Sequence, residues 1–147
     1  MSDDITKIKF VHLTSNNICF GLAPDDNTEV EQYLKIEASG EVSFSARNYK
    51  QYNEEKGYCR EKHISIDKSK VEYLFQLIEN IYETDPYATD VGSFNLVIFY
   101  DNGSTRKITG SLIGNVFSRI NGEESDIDLN KVIRRSIPIR KMWVFNG

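Results

Sequence analysis

The sequence predicts an α+β fold: an antiparallel sheet of about five to seven strands built from hairpins, with two or three helices packed mainly on one face. Three observations carry this. Leu34, Ile36 and Ala38 alternate with Lys35 and Glu37, and beyond Ser39-Gly40 the residues Val42, Phe44 and Ala46 alternate with Ser43, Ser45 and Arg47. A period of two marks half-buried strands, and glycine supplies the positive φ that a tight hairpin turn needs. A second hairpin spans Phe94 to Ile108 around Asp101-Asn102-Gly103-Ser104, which has the residue types of a two-residue type I′ turn. Val71, Leu74, Phe75, Ile78, Ile81 and Tyr82 fall on one helical face between Asp67, a suitable N-cap, and Asp85-Pro86, where proline disfavours helix in the residue before it.

The other elements follow in chain order. Ile5 to Leu13 reads as a strand with Ile8, Phe10 and His12 on one side and Lys7, Lys9 and Val11 on the other. Asn16-Asn17 breaks it, and Ile18 to Leu22 reads as a second short strand. Pro24 to Asn27 has loop chemistry, because proline fixes φ and Asp and Asn bond their own backbone. Residues 48–57 are polar and expected to be loop, with a further strand in Tyr58 to Ile66. In Phe94 to Tyr100 both faces are apolar, as in a central strand. Leu112, Ile113, Val116, Phe117 and Ile120 have helical spacing, broken by Gly110 and Gly114. Ser125 to Asp128 has the form of a capping box for a short helix with Leu129, Val132, Ile133 and Ser136 on one face. Pro138 stops that helix, and Met142 to Phe145 is apolar enough to close the fold as a strand or a docked tail.

A chain of 147 residues fits one domain, and its 8 Phe, 8 Tyr and Trp143 supply a core without disulfides or a structural metal. The acidic start Met1-Ser2-Asp3-Asp4 is unlike a secretory signal, and no apolar run approaches the roughly 20 residues that cross a bilayer. Cys19 and Cys59 form no CxxC pair, so the expectation is a cytoplasmic protein with free thiols and no membrane partner. The net charge is −4, yet residues 129–147 carry Lys131, Arg134, Arg135, Arg140 and Lys141 with no acid. An acidic body repels a phosphate backbone, which argues against nucleic acid as a partner.

Motifs for chemistry fail on spacing. His12, Cys19, Cys59 and His63 are enough ligands for zinc, but their spacings match no zinc finger or knuckle. Asp126 to Asn130 imitates the opening of a calcium loop, yet Lys131 and Ile137 stand where glycine and the bidentate glutamate are required. Gly110 to Gly114 lacks the ending of a phosphate loop. No cofactor or metal is therefore expected.

The function that remains is a small non-catalytic binding or regulatory module acting through protein contacts, in the manner of an immunity-type or adaptor protein. Tyr, Trp and Arg dominate interface hot spots, so Tyr52, Tyr58, Arg60 and Trp143 are candidate anchors, joined by Arg134 and Arg135 of the basic cluster. Self-association through a sheet edge is a second route to a protein partner. Two alternatives belong to other classes. One is a small enzyme using Cys59 with His12 or His63. The other is nucleic-acid binding through the segment Tyr49 to Arg60, which interleaves aromatics with cations, together with the basic 131–141 segment.

Overall fold

The computed structural model describes residues 7–18, 23–84, 92–112, 116–119 and 127–145. They form strands β1 (Ile8–Asn16), β2 (Glu29–Glu37) and β3 (Glu41–Asn48), helix α1 (Tyr49–Glu54), strand β4 (Arg60–Ser65), helix α2 (Lys68–Glu79) and strands β5 (Ile81–Thr84), β6 (Ser93–Tyr100), β7 (Thr105–Ser111), β8 (Val116–Ser118) and β9 (Ile127–Asp128), then helix α3 (Leu129–Ser136). The main sheet has six antiparallel strands in the order β4-β3-β2-β1-β6-β7, and a small sheet has the order β5-β8-β9. The α+β class and the hairpin-built sheet are as the sequence predicts. No described helix is long and apolar enough to cross a membrane.

One face of the main sheet is buried. Val11 and Leu13 of β1, Leu34 and Ile36 of β2, Val42 and Phe44 of β3, and Leu96 and Ile98 of β6 form a single core with Val71, Leu74, Leu77 and Ile78 of α2 and Leu129 and Ile133 of α3. The alternating residues of the same strands stay partly exposed on the opposite face. In β1 the register shifts between Ile8 and Phe10. The sequence placed Ile8 with Phe10 and His12; the shift instead turns Ile8 into the core beside Val11 and leaves Phe10 and His12 on the open face.

Both hairpin turns differ from the two-residue form. Gly103 N donates to Tyr100 O at 3.0 Å and Tyr100 N to Ser104 O at 2.9 Å, so the loop has three residues. Gly103 has φ +88° while Asn102 is not among the positive-φ residues, which excludes type I′. The Ser39-Gly40 turn is built alike, with Gly40 N on Glu37 O at 2.9 Å and φ +102° at Gly40. A type I turn closed by a left-handed glycine is the usual three-residue solution.

Other local expectations are corrected by capping and by the small sheet. Residues 48–57 are not all loop: Asn48 and Gln51 form a reciprocal capping box that starts α1. Asp67 occupies the N-cap of α2 but makes no side-chain cap bond. That helix stops at Asn80, whose side chain donates to Gln76 O at 2.7 Å, and Ile81–Thr84 continues as β5 instead of helix. Of the helix expected over Leu112 to Ile120, Val116–Ser118 is instead a strand paired with β5 and β9, and residues 113–115 and 120 lie outside the described residues. The N-cap of α3 is Asp128, which accepts from Lys131 N at 3.3 Å; the Ser125 cap lies outside the described residues. Ile18 lies beyond the end of β1, its N–H on Asn16 Oδ1 at 2.8 Å, and the rest of that expected strand lies outside the described residues.

Among the described residues the C-terminal segment is a docked tail with no strand in it. Met142, Val144 and Phe145 are buried, and Phe145 meets Phe94 edge-on at 4.8 Å. A tail that leaves the sheet in irregular conformation must satisfy its backbone groups with side chains. Three polar residues buried in or beside the core do this. Ser15 Oγ donates to Val144 O at 2.6 Å. Gln32 accepts from Trp143 N at 2.8 Å and donates to Lys141 O at 2.9 Å. Asn130 accepts from Phe145 N at 3.0 Å. Arg134 adds bonds to Met142 O and Trp143 O at 3.1 and 2.8 Å.

Candidate functional site: the uncovered sheet face

The strand order sets outward residues from distant parts of the chain in rows. In one row Ser43 lies opposite His63 and Lys35, and Lys35 opposite His12; in the next, Ser45 lies opposite Glu61 and Tyr33, and Tyr33 opposite Thr14. Directly opposed side chains are about 4.5–5.5 Å apart, close enough to interact. Over β4, β3, β2 and β1 these rows line an open cavity of about 460 Å³ whose lining includes His12, Tyr33, Lys35, Ser43, Tyr58 and His63.

Aromatic rings make its walls. Tyr33 meets Tyr58 edge-on at 6.1 Å and His12 in a stacked arrangement at 6.4 Å. The Arg47 guanidinium lies 5.1 Å from the Tyr58 ring centre and 5.8 Å from that of Tyr33, and its Nε donates to Gly57 O at 3.2 Å. The Lys35 ammonium sits 4.5 Å over the Phe10 ring, which itself stacks on Phe99 at 4.3 Å. Cations over ring faces are attracted by the ring quadrupole. Tyr58, at 45% exposed, is the most open large hydrophobic side chain among the described residues.

Electrostatics sharpen the picture. Burial, then the charge of Lys35, pulls the His12 imidazole below its usual range, so it is neutral at pH 7. Burial and the hydrogen bond to Glu31 push the Tyr33 phenol up, holding it as a donor. Glu31 accepts from Tyr33 and from Asn16 Nδ2, the latter at 2.9 Å. Neither Lys35 nor Arg47 takes part in an ion pair among the described residues; the two present are Arg60–Glu29 and His63–Glu41.

The sequence-derived candidates fall in different places. Tyr58 belongs to this face. Tyr52 is half-buried on α1. Arg60 lies on the covered side, pairing with Glu29 at 2.8 Å and donating to the carbonyls of Arg140 and Lys141. Burial alone would raise the Glu29 carboxyl, but the bonds from Arg60 and Gln32 outweigh it and hold the group below its usual range. Arg134 clamps the tail, Arg135 is exposed at the end of α3, and Trp143 is partly buried against the core. The residues missed were Tyr33, Lys35 and Arg47, while His12 was considered only as a base or a metal ligand. Each is an outward member of an alternating strand, so the signal was present, but only the strand order shows that they meet.

The groups considered for catalysis do not assemble around Cys59. Its thiol is exposed, bonded to Ala46 O at 3.5 Å and Glu29 Oε2 at 3.8 Å, and shares no hydrogen bond with His12 or His63. Burial and the Glu29 charge raise the thiol above its usual range, opposite to what a nucleophile needs. Ser43 Oγ lies 3.2 Å from His63 Nδ1, and His63 Nε2 lies 3.5 Å from Glu41. That chain has hydroxyl, imidazole and carboxylate in order, but His63 and Glu41 are 68% and 46% exposed, where water screens the pair. Among the described residues no three His, Cys, Asp or Glu side chains cluster as a metal site. No protein-family model matches this chain, and no curated protein or solved structure does.

Proposed function

We propose that this chain is a non-catalytic binding module that engages a protein partner through the uncovered face of its six-stranded sheet. One observation carries the reading: Tyr33 of β2 and Tyr58 of the segment before β4 line an open cavity, and Arg47 of β3 packs against both rings. Tyr and Arg are the residue types that concentrate binding energy in protein interfaces, and they do so in pockets near the centre of a contact patch. The sheet edges serve less well for self-association. β4 presents Arg60, Glu61, Lys62 and His63 and β7 presents Arg106 and Lys107, and charge along an edge opposes strand addition. A cytoplasmic setting belongs to the same proposal, supported by the free and exposed Cys59 thiol, which suits a reducing compartment.

The test is partner recovery with face variants. Tyr58→Ala and Arg47→Ala, each shown to keep the wild-type melting temperature within a few degrees, are expected to lose a partner that the wild-type chain recovers from its own cells. Arg135→Ala, on α3, is expected to retain it. Recovery of the same partner by the double variant Tyr58→Ala, Arg47→Ala would remove this face from the mechanism.

A further inference from the structure

We infer that the cavity on the uncovered face seats an aromatic side chain flanked by carboxylates, presented by the protein partner; the inference rests on the reading of this face as the binding surface. The aromatic part follows from the walls. A volume of about 460 Å³ bounded by His12, Tyr33 and Tyr58 is larger than one side chain needs and leaves room for the adjoining backbone. Aromatic pairs gain about 0.5–1.5 kcal/mol beyond area burial when they meet edge-on or offset, and the Tyr33–Tyr58 corner offers both a ring face and a ring edge.

The acidic part follows from cations with unused donors. Arg47 donates through Nε to Gly57 O, which leaves the outer nitrogens of the guanidinium, the pair that forks onto a carboxylate. Lys35 rests over Phe10 without a carboxylate partner. The two flank Tyr33 on either side, because Lys35 is two residues along β2 and Arg47 lies opposite Glu31 on β3. Glu31 is engaged by Tyr33 and Asn16. His12 is neutral and does not add to the positive charge, so the cations at the site are Lys35 and Lys62 of the lining and Arg47 beside it, with Glu61 among them.

The opposing charges decide between a few carboxylates and a polyanion. Glu61 stands opposite Ser45 at the cavity wall and Glu41 stands beside His63. The whole chain carries −4. A long phosphate backbone would meet all of these acids along its path, whereas a short acidic segment meets Glu61 alone at close range, charges more than a Debye length away, about 8 Å at physiological salt, being screened. The occupant with the right chemistry is a tyrosine, tryptophan or phenylalanine with aspartate or glutamate beside it.

The experiment is a titration of the ¹⁵N-labelled full chain, followed by NMR, with three probes. These are acetyl-Asp-Glu-Tyr-Glu-Asp-amide, its counterpart with lysine at each acidic position, and decathymidylate. The acidic peptide is expected to move the amide signals of Tyr33, Lys35, Ser43, Ser45 and Tyr58. The lysine peptide should leave them in place. Lys35→Gln or Arg47→Gln should each weaken the acidic peptide by about tenfold or more, the worth of one charge-assisted hydrogen bond, while Glu61→Gln should tighten it. Absence of shifts at millimolar acidic peptide, equal binding of the lysine peptide, or saturation by decathymidylate at a lower concentration than the peptide would each overturn the inference. Failure here leaves the binding-face reading intact if Tyr58→Ala still loses the cellular partner, and removes both if it does not.

Discussion

Gln32 occupies a core position where the β2 pattern Val30, Leu34, Ile36 calls for an apolar side chain, and it is only 3% exposed. Replacing it with leucine keeps roughly the volume and improves the hydrophobic pattern, so a reading based on apolar burial alone predicts a neutral or stabilising change. The tail geometry predicts the opposite. Gln32→Leu strands the Trp143 N–H, bonded at 2.8 Å in the native fold, and removes one of two donors to the Lys141 carbonyl, which keeps its bond from Arg60. Each buried backbone group left unpaired costs about 1–3 kcal/mol. Adding about 0.5–1.5 kcal/mol for the lost bond to Lys141 and subtracting about 1 kcal/mol gained from apolar burial leaves a net loss of about 0.5–3.5 kcal/mol, a fall in melting temperature of roughly 2–12 °C for a chain of this size. Urea unfolding by circular dichroism measures the loss. Trp143, the one tryptophan in the sequence, reports locally, since release of the tail should red-shift its emission. Gln32→Glu is expected to be at least as damaging, because it removes the donor to Lys141 and sets a carboxylate beside Glu29. A leucine variant as stable as wild type, with unchanged emission, would show that Met142, Val144 and Phe145 hold the tail by burial alone.

The two hairpin glycines have the same conformation but different surroundings. Gly103→Ala meets nothing within 4 Å and should cost about 1 kcal/mol for its left-handed φ, whereas Gly40→Ala also drives a Cβ into the Ile66 carbonyl and should cost clearly more by urea unfolding. The His12 ring, held below its ordinary pKa of 6.5, resists a proton that the unfolded chain accepts. Stability should therefore be full above about pH 7 and fall as the pH drops through the unfolded value. His12→Gln should shrink that fall when urea midpoints at neutral and mildly acidic pH are compared.

What the sequence made legible follows from period and length. The hairpin of β2 and β3 and the helix from Lys68 were readable because eight or more residues repeat one spacing, and their packing agrees with it. β8 was not, because three residues carry no period, and Leu112, Val116 and Ile120 happen to fall at helical intervals. α1 was hidden for the opposite reason: it has no buried residue and so no apolar face, only the Asn48 and Gln51 caps. The single-residue register shift in β1 reversed the facing of Ile8, and nothing in its composition announces a bulge. The tail clamp was half-legible. Ser15 and Gln32 break apolar alternation, and polar residues in apolar slots need partners, but the partners lie more than a hundred positions away.

The tail and the uncovered face are not independent features, and Arg60 joins them. It extends from the start of β4 on the covered side, over the Phe44 ring at 4.8 Å, to Glu29 and to the carbonyls of Arg140 and Lys141. Two residues earlier, Tyr58 points to the open face. The short segment between them is held by Cys59 N on Ala46 O at 2.9 Å and by Gly57 O on Arg47. An exposed aromatic serves as an anchor only if its backbone is fixed beforehand, since ordering it on contact subtracts from affinity. The bonds to Arg47, Ala46, Glu29 and the tail supply that order from four directions. The docked tail thereby does more than close the core: through Arg60 it helps fix the segment from which Tyr58 reaches the cavity.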